Sequence, residues 1–162
     1  MTFIPTAPVA PLASPAPAEP DRVIINDGWF PDIDPADIRA DRRIRDVVTP
    51  RRMRTAVIGA IMTVRVNLRD WAALHREVGA ASLAQVPADT IDGESVLVLA
   101  YERAIGAYAR AELVEGYRDT DLTGRGDRKV EDLEPSVGEL RRDALHAIRD
   151  MLAVGRTNVD LI

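Results

Sequence analysis

The chain has 162 residues, of which 46% are hydrophobic and 29% charged, with a formal net charge of −5 and no cysteine. That length fits one domain with a sizeable core, and the absence of thiols excludes disulfides, zinc–thiolate centres and thiol catalysis. Aromatics make up only 4%, so Leu, Val, Ile and Ala must build the interior, which suggests close-packed helices rather than a β-sandwich.

Residues 1 to about 20 hold six of the eleven prolines. Such a stretch neither holds a helix nor pairs as a strand, so residues 1–21 are expected to be a disordered Pro/Ala-rich arm preceding one helical domain, 22–162. Arg22 to Asn26 reads as a short extended apolar run, an edge strand. Asp27-Gly28 then turns the chain into Trp29-Phe30. These two aromatics either pin the arm to the core or anchor an interface.

Helix signals follow in order. Asp34 is an N-cap, Pro35 stands at the first helical position and Asp37 in the first turn, predicting a helix to about Asp46. Thr49 and Pro50 repeat the pattern and predict a long helix to about Val78, stopped by Gly79. Its apolar stripe would be Met53, Val57, Ala60, Ile61, Val64, Leu68, Trp71, Leu74 and Val78. A third helix is expected from Asp92-Gly93 to about Tyr117, with Leu97, Ala100, Ala104, Ala107 or Tyr108, and Ala111 inward and Gly106 alongside, small enough to admit a close neighbour. Arg118 to about Asp132 lacks an apolar period and reads as an exposed, mobile loop. A fourth helix should run from Pro135-Ser136 to about Val154, with Val137, Leu140, Ala144, Leu145, Ile148 and Leu152 inward. Thr157 to Ile162 alternate in the manner of an extended tail that pairs with something. The fold class is therefore all-α, a bundle of about four helices.

Charge is unevenly spread: Pro35 to Val78 carries ten Arg against five acids, and Gly79 to Glu134 six Lys or Arg against twelve acids. A basic and an acidic half would suit head-to-tail contact between identical copies, although two solvated helix faces read the same way. No apolar run approaches the ~20 residues of a membrane span, and the first residues lack a basic n-region, so the protein is expected to stay in the cytosol.

No enzyme site emerges. His75 and His146 are the only histidines, and neither has an acid at metal-ligand spacing. Ser82, Ser95 and Ser136 lack a nucleophile-elbow context, and Ser95 reads as a first-turn helix residue. Asp92 and Glu102 are too far round a helix to form a carboxylate pair. Gly124 to Asp127 has neither phosphate-loop spacing. Arg42, Arg43, Arg45, Arg51, Arg52 and Arg54 form a basic cluster over two successive helices, for which a helix-turn-helix DNA-binding regulator is the alternative reading. Against it stand the length of the second helix, its commitment to an apolar stripe and the acidity of the whole chain.

Phe30 to Pro35 (FPDIDP), Val86 to Ser95 (VPADTIDGES), Tyr101 to Ala104 (YERA) and Gly126 to Lys129 (GDRK) occur in an order that resembles the head completion proteins of temperate, contractile-tailed bacteriophages. The resemblance runs from Trp29 to the end of the chain. It implies a virion protein of the head–tail neck, without catalytic residues, cofactor or metal. It further implies an adaptor that docks on the portal ring, closes the DNA channel after packaging and presents a surface to tail-completion and neck proteins. The adaptor would form a homo-oligomeric, dodecameric ring in passing contact with packaged DNA. On that basis Trp29, Phe30, Arg42, Arg43, Arg51, Arg52 and Arg54 are expected at the oligomer or portal interface. Asp119, Asp121, Arg125, Asp127, Arg128 and Lys129 are expected on a channel loop, by analogy with such adaptors.

Overall fold

The structure, a computed structural model, describes residues 22–118 and 135–153. The expected arm, most of the expected loop and the expected tail lie outside these residues.

The described residues form five helices: α1 (Pro35–Asp41), α2 (Pro50–Asn67), α3 (Arg69–Glu77), α4 (Val96–Arg118) and α5 (Val137–Met151). A single 3-10 turn, Leu83–Gln85, and a two-residue hairpin, Thr90–Ile91 with Glu94–Ser95, join α3 to α4. The fold is all-helical.

The caps act as their residue types dictate. Asp34 Oδ1 accepts from the Ala36 N–H at 2.8 Å, and Thr49 Oγ1 accepts from the Arg52 N–H at 3.4 Å, with Pro35 and Pro50 just inside. Ser136 and Glu139 close a reciprocal capping box at the start of α5, satisfying two otherwise orphaned N–H groups. After α3, Gly79 at φ +96 and Ala80 return their N–H groups to Arg76 and His75, a Schellman stop that favours glycine.

Three expected boundaries move. The first helix ends at Asp41 because Arg43 adopts φ +50, and Arg43 and Ile44 donate back to Ala40 and Arg39. The long second helix is interrupted at Leu68. Leu68 there stands at φ −97 and ψ 2, and Asn67 Nδ2 donates to the Thr63 carbonyl at 2.9 Å beside it. The break redirects the rest of the stripe: Met53 to Leu68 are buried, but Leu74 and Val78 are 57% and 74% exposed. Asp92 and Gly93 do not begin a helix. Both have positive φ, +53 and +82, and together they form the two-residue turn that matches hairpin twist. Ser95 caps α4 instead, accepting from the Leu97 N–H at 3.3 Å. On α5, Leu145 lies exposed and Val137 half-buried, while Ala147 and Met151 join the core.

Helix α4 is the centre of the fold. It is buried almost all round, with α2 and α5 packed against it, the pattern of a core helix rather than a surface one. Ala104, Ala107 and Ala111 on α4, with Ala144 and Ala147 on α5, are fully or almost fully buried. Their small side chains let the backbones approach.

Arg43 holds a left-handed conformation that costs a side chain about 1 kcal/mol. Arg43→Gly should therefore raise stability by about 0.5–1 kcal/mol, read as a shift of the urea midpoint at unchanged slope.

Candidate functional site

Residues 22–33 form a latch that closes over α2, α3 and α4. Its ends meet in one bridge, with Ile24 N–H donating to Ile33 O at 2.8 Å and Ile33 N–H to Ile24 O at 3.0 Å. The expected edge strand is thus a single pairing to the end of its own loop. Between them Asp27 is the node. Its Oδ1 accepts from the Trp29 and Phe30 N–H groups, each at 3.1 Å, while Oδ2 accepts from Arg65 at 2.7 Å and Arg76 at 2.9 Å. Asn26 sits beside it, accepting from Arg65 at 3.2 Å and donating to the Tyr101 hydroxyl at 2.9 Å. One turn of chain is thereby tied to α2, α3 and α4 together.

The aromatics follow from that turn. Trp29 and Phe30 are 6% and 4% exposed. Phe30 stacks on Tyr101 at 4.8 Å, Trp29 meets Trp71 edge-on at 6.1 Å, and its Nε1 donates to the Ala80 carbonyl at 2.8 Å. Arg76 lies over the Trp29 ring at 4.8 Å and Arg65 over Phe30 at 5.5 Å, adding cation–π attraction. Both rings are buried and pin residues 22–33 against the helices.

Burial pushes the Asp27 carboxyl up, but the Phe30 and Trp29 N–H bonds and the Arg65 and Arg76 charges outweigh it, leaving the pKa below its ordinary value. Burial pushes the Tyr101 phenol up to about 12, against the opposing pull of the Asn26 hydrogen bond, so it stays neutral at physiological pH.

The expected arginine cluster divides. Arg42 is half-buried: it donates to the Arg103 carbonyl at 3.0 Å and lies where a Cβ on Gly106 would stand 2.7 Å from its Nε. Gly106 therefore makes room for this guanidinium rather than for a neighbouring helix. Burial, followed by the charge of Arg103, lowers the Arg42 pKa. Arg54 is half-buried and donates to the Arg22 carbonyl, fastening the start of the latch to α2. Arg43, Arg51 and Arg52 are exposed around the α1–α2 joint. Near the start of α4, the Glu102 carboxyl is raised by burial and then by Glu94, Asp37 and Asp41, so acids from α1, the hairpin and α4 share one region. Asp119, Asp121, Arg125, Asp127, Arg128 and Lys129 lie outside the described residues. The described residues contain no group of three His, Cys, Asp or Glu placed to hold a metal ion, and no helix long and apolar enough to cross a membrane.

The profile of the family described as "Phage head completion protein (GPL)" matches residues 24–162. The chain belongs to the phage head completion protein family. It is 40% identical over 134 residues to the head completion/stabilization protein of Escherichia phage P2, covering 83% of this chain and 79% of that protein. It is 28% identical over 142 residues to the probable head completion/stabilization protein of Haemophilus phage HP1 (strain HP1c1), covering 88% and 93%. No solved structure matches. This membership makes the protein a structural component of phage head assembly and not an enzyme, and it displaces the helix-turn-helix alternative.

Sequence reasoning missed Asp27, Asn26, Arg65 and Arg76 as a unit. Asp-Gly before two aromatics was the signal, since an Asp side chain readily accepts from N–H groups two and three residues on.

Asp27→Asn should lower stability by about 2 kcal/mol at neutral pH, the scale of lost charge-assisted bonds. A depressed carboxylate contributes fully above its unfolded pKa and loses that contribution as pH falls through the folded value. The gap between wild type and variant should therefore shrink below about pH 4, measured by urea unfolding from pH 7 to 3. Gly106→Ala should be neutral or destabilising alone. In an Arg42→Ala background it should stabilise by about 1 kcal/mol, because the helix propensity gain is no longer opposed by a displaced guanidinium.

Proposed function

We propose that residues 22–162 form a head-to-tail adaptor domain, preceded by the arm 1–21, that docks as a ring on the portal, closes the DNA channel after packaging and receives the tail-completion and neck proteins. The observation that carries this reading is membership of the head completion family across 24–162. A protein that completes a filled head acts at the one vertex through which DNA has passed. The architecture supports it. A stiff helical body is locked by its latch, with Arg43, Arg51 and Arg52 exposed around the α1–α2 joint and acids of α1, the hairpin and α4 (Asp37, Asp41, Glu94 and Glu102) sharing one region. Opposed charges on one subunit favour heterologous, head-to-tail contacts, and such contacts close into rings when the rotation permits.

In this reading Arg43, Arg51 and Arg52 meet acids of a neighbouring copy or of the portal. Arg42 and Arg54 act indirectly, by holding α4 and the latch in place. Trp29 and Phe30 serve the same structural end. The run containing Asp119, Asp121, Arg125, Asp127, Arg128 and Lys129 is the channel-facing segment, in passing contact with DNA. The ring is dodecameric, following the portal, and the protein resides in the virion neck after assembly in the host cytoplasm.

Negative-stain imaging of purified protein mixed with its cognate portal rings tests the reading. Added density capping one end of the portal is expected, and Arg43→Glu/Arg51→Glu/Arg52→Glu should abolish it while the helical circular dichroism is unchanged. A portal left bare by the wild-type protein would overturn the adaptor assignment.

A further inference from the structure

A groove of ≈ 550 Å³ runs between the latch and α2, lined in part by Val23, Ile25, Ile58 and Met62, with Arg22 and Arg54 among its basic residues. Ile25 and Met62 are 67% and 65% exposed, an apolar strip on a chain whose other aromatic and aliphatic side chains on the latch are buried. The backbone beside it is open as well. Ile24 turns both its N–H and C=O toward Ile33, so strand alternation turns those of Val23 and Ile25 the other way. Val23 and Ile25 make no backbone hydrogen bond among the described residues. An unpaired strand edge beside an apolar groove is a template for an added strand.

We propose that this groove receives residues 157–162 of a second copy, laid as a strand along Val23–Ile25. The fit follows from the sequence of the segments outside the described residues. Residues 1–20 carry six prolines, each without an N–H and so unable to sustain a ladder. Residues 119–134 are mostly charged and include Gly124 and Gly126. The run Thr157-Asn158-Val159-Asp160-Leu161-Ile162 contains neither proline nor glycine. Val159 and Leu161 fall on one face of an extended chain and suit the groove. Asp160 falls on the other, within the field of the rim arginines Arg22 and Arg54, the latter having donors beyond the one used on the Arg22 carbonyl.

The donor is a second copy because of the layering. Helix α4 lies between α5 and α2, and the groove is on the side of α2 formed with the latch. Two helix layers take about 16–20 Å before any path around them is added. Six residue steps from Ala153 to Val159 reach at most about 21 Å. A neighbour's segment meets no such limit. The proposal deepens the self-association part of the function proposed above and rests on it, but the two fail separately.

The absence of cysteine allows a direct test on the full chain. Met62→Cys and Leu161→Cys proteins are mixed under mild oxidation, with Met62→Cys plus Leu145→Cys as control, Met62 and Leu145 both being exposed. The expected result is a disulfide-linked dimer forming about tenfold faster in the first mixture, reflecting the raised effective concentration at a docked site. Equal rates in the two mixtures would overturn the proposal, as would a Met62→Cys/Leu161→Cys double variant that links only within one chain. Portal capping without preferential cross-linking defeats the docking alone. Preferential cross-linking with a bare portal defeats the adaptor assignment alone.

Discussion

Everything in the described fold depends on where one carboxylate can find its donors. Asp27 accepts from two backbone N–H groups of its own turn and from two guanidiniums on different helices. The local bonds shape the turn so that Trp29 and Phe30 point inward. The long-range bonds then fix the turned segment against α2 and α3, while Asn26 carries the tie to Tyr101 on α4. A charge bound this way does more for specificity than a surface ion pair of the usual kind, which contributes about 0–1 kcal/mol. It sets the position of two aromatic rings that close the top of an aromatic-poor core.

The segments through which the chain resembles its family are largely folding devices. Within FPDIDP, Phe30 stacks on Tyr101, Ile33 closes the latch and Asp34 caps α1 ahead of Pro35. Within VPADTIDGES, Val86 is buried, Asp92-Gly93 forms the hairpin turn and Ser95 caps α4. Tyr101 belongs to the YERA run. A protein whose work is mechanical needs a body that keeps its shape under load, and residues that specify shape are then the ones that identify it.

Small residues divide into two roles that the sequence presents alike. Alanines on α4 and α5 bring two helices together, a van der Waals matter. Gly106 instead clears space for Arg42, whose guanidinium reaches over α4 to the Arg103 carbonyl. Gly59 likewise stands where a Cβ would lie 2.8 Å from Glu112 Oε2. Both glycines accommodate polar side chains at helix contacts rather than apolar ones.

The sequence by itself determined what is local. Asp34-Pro35, Thr49-Pro50 and Ser136 announced helix starts, because a capping oxygen acts within three residues, and Gly79 announced a stop for the same short-range reason. Hydrophobic spacing revealed the buried face from Met53 to Leu68. Tertiary structure decided whatever required a distant partner or a competing bond. It split the long helix at Leu68, exposed Leu74 and Val78, ended α1 early with a left-handed arginine, and turned Asp92-Gly93 into a hairpin. It also sent Trp29 and Phe30 inward and half-buried Arg42 and Arg54. The inward aromatics and the half-buried arginines turned on groups 30 to 75 residues apart meeting in space, as Arg54 with Arg22, Arg65 with Asp27 and Asn26 with Tyr101 do. No local pattern encodes such meetings, since a guanidinium reads identically in sequence whether it faces water or a backbone carbonyl.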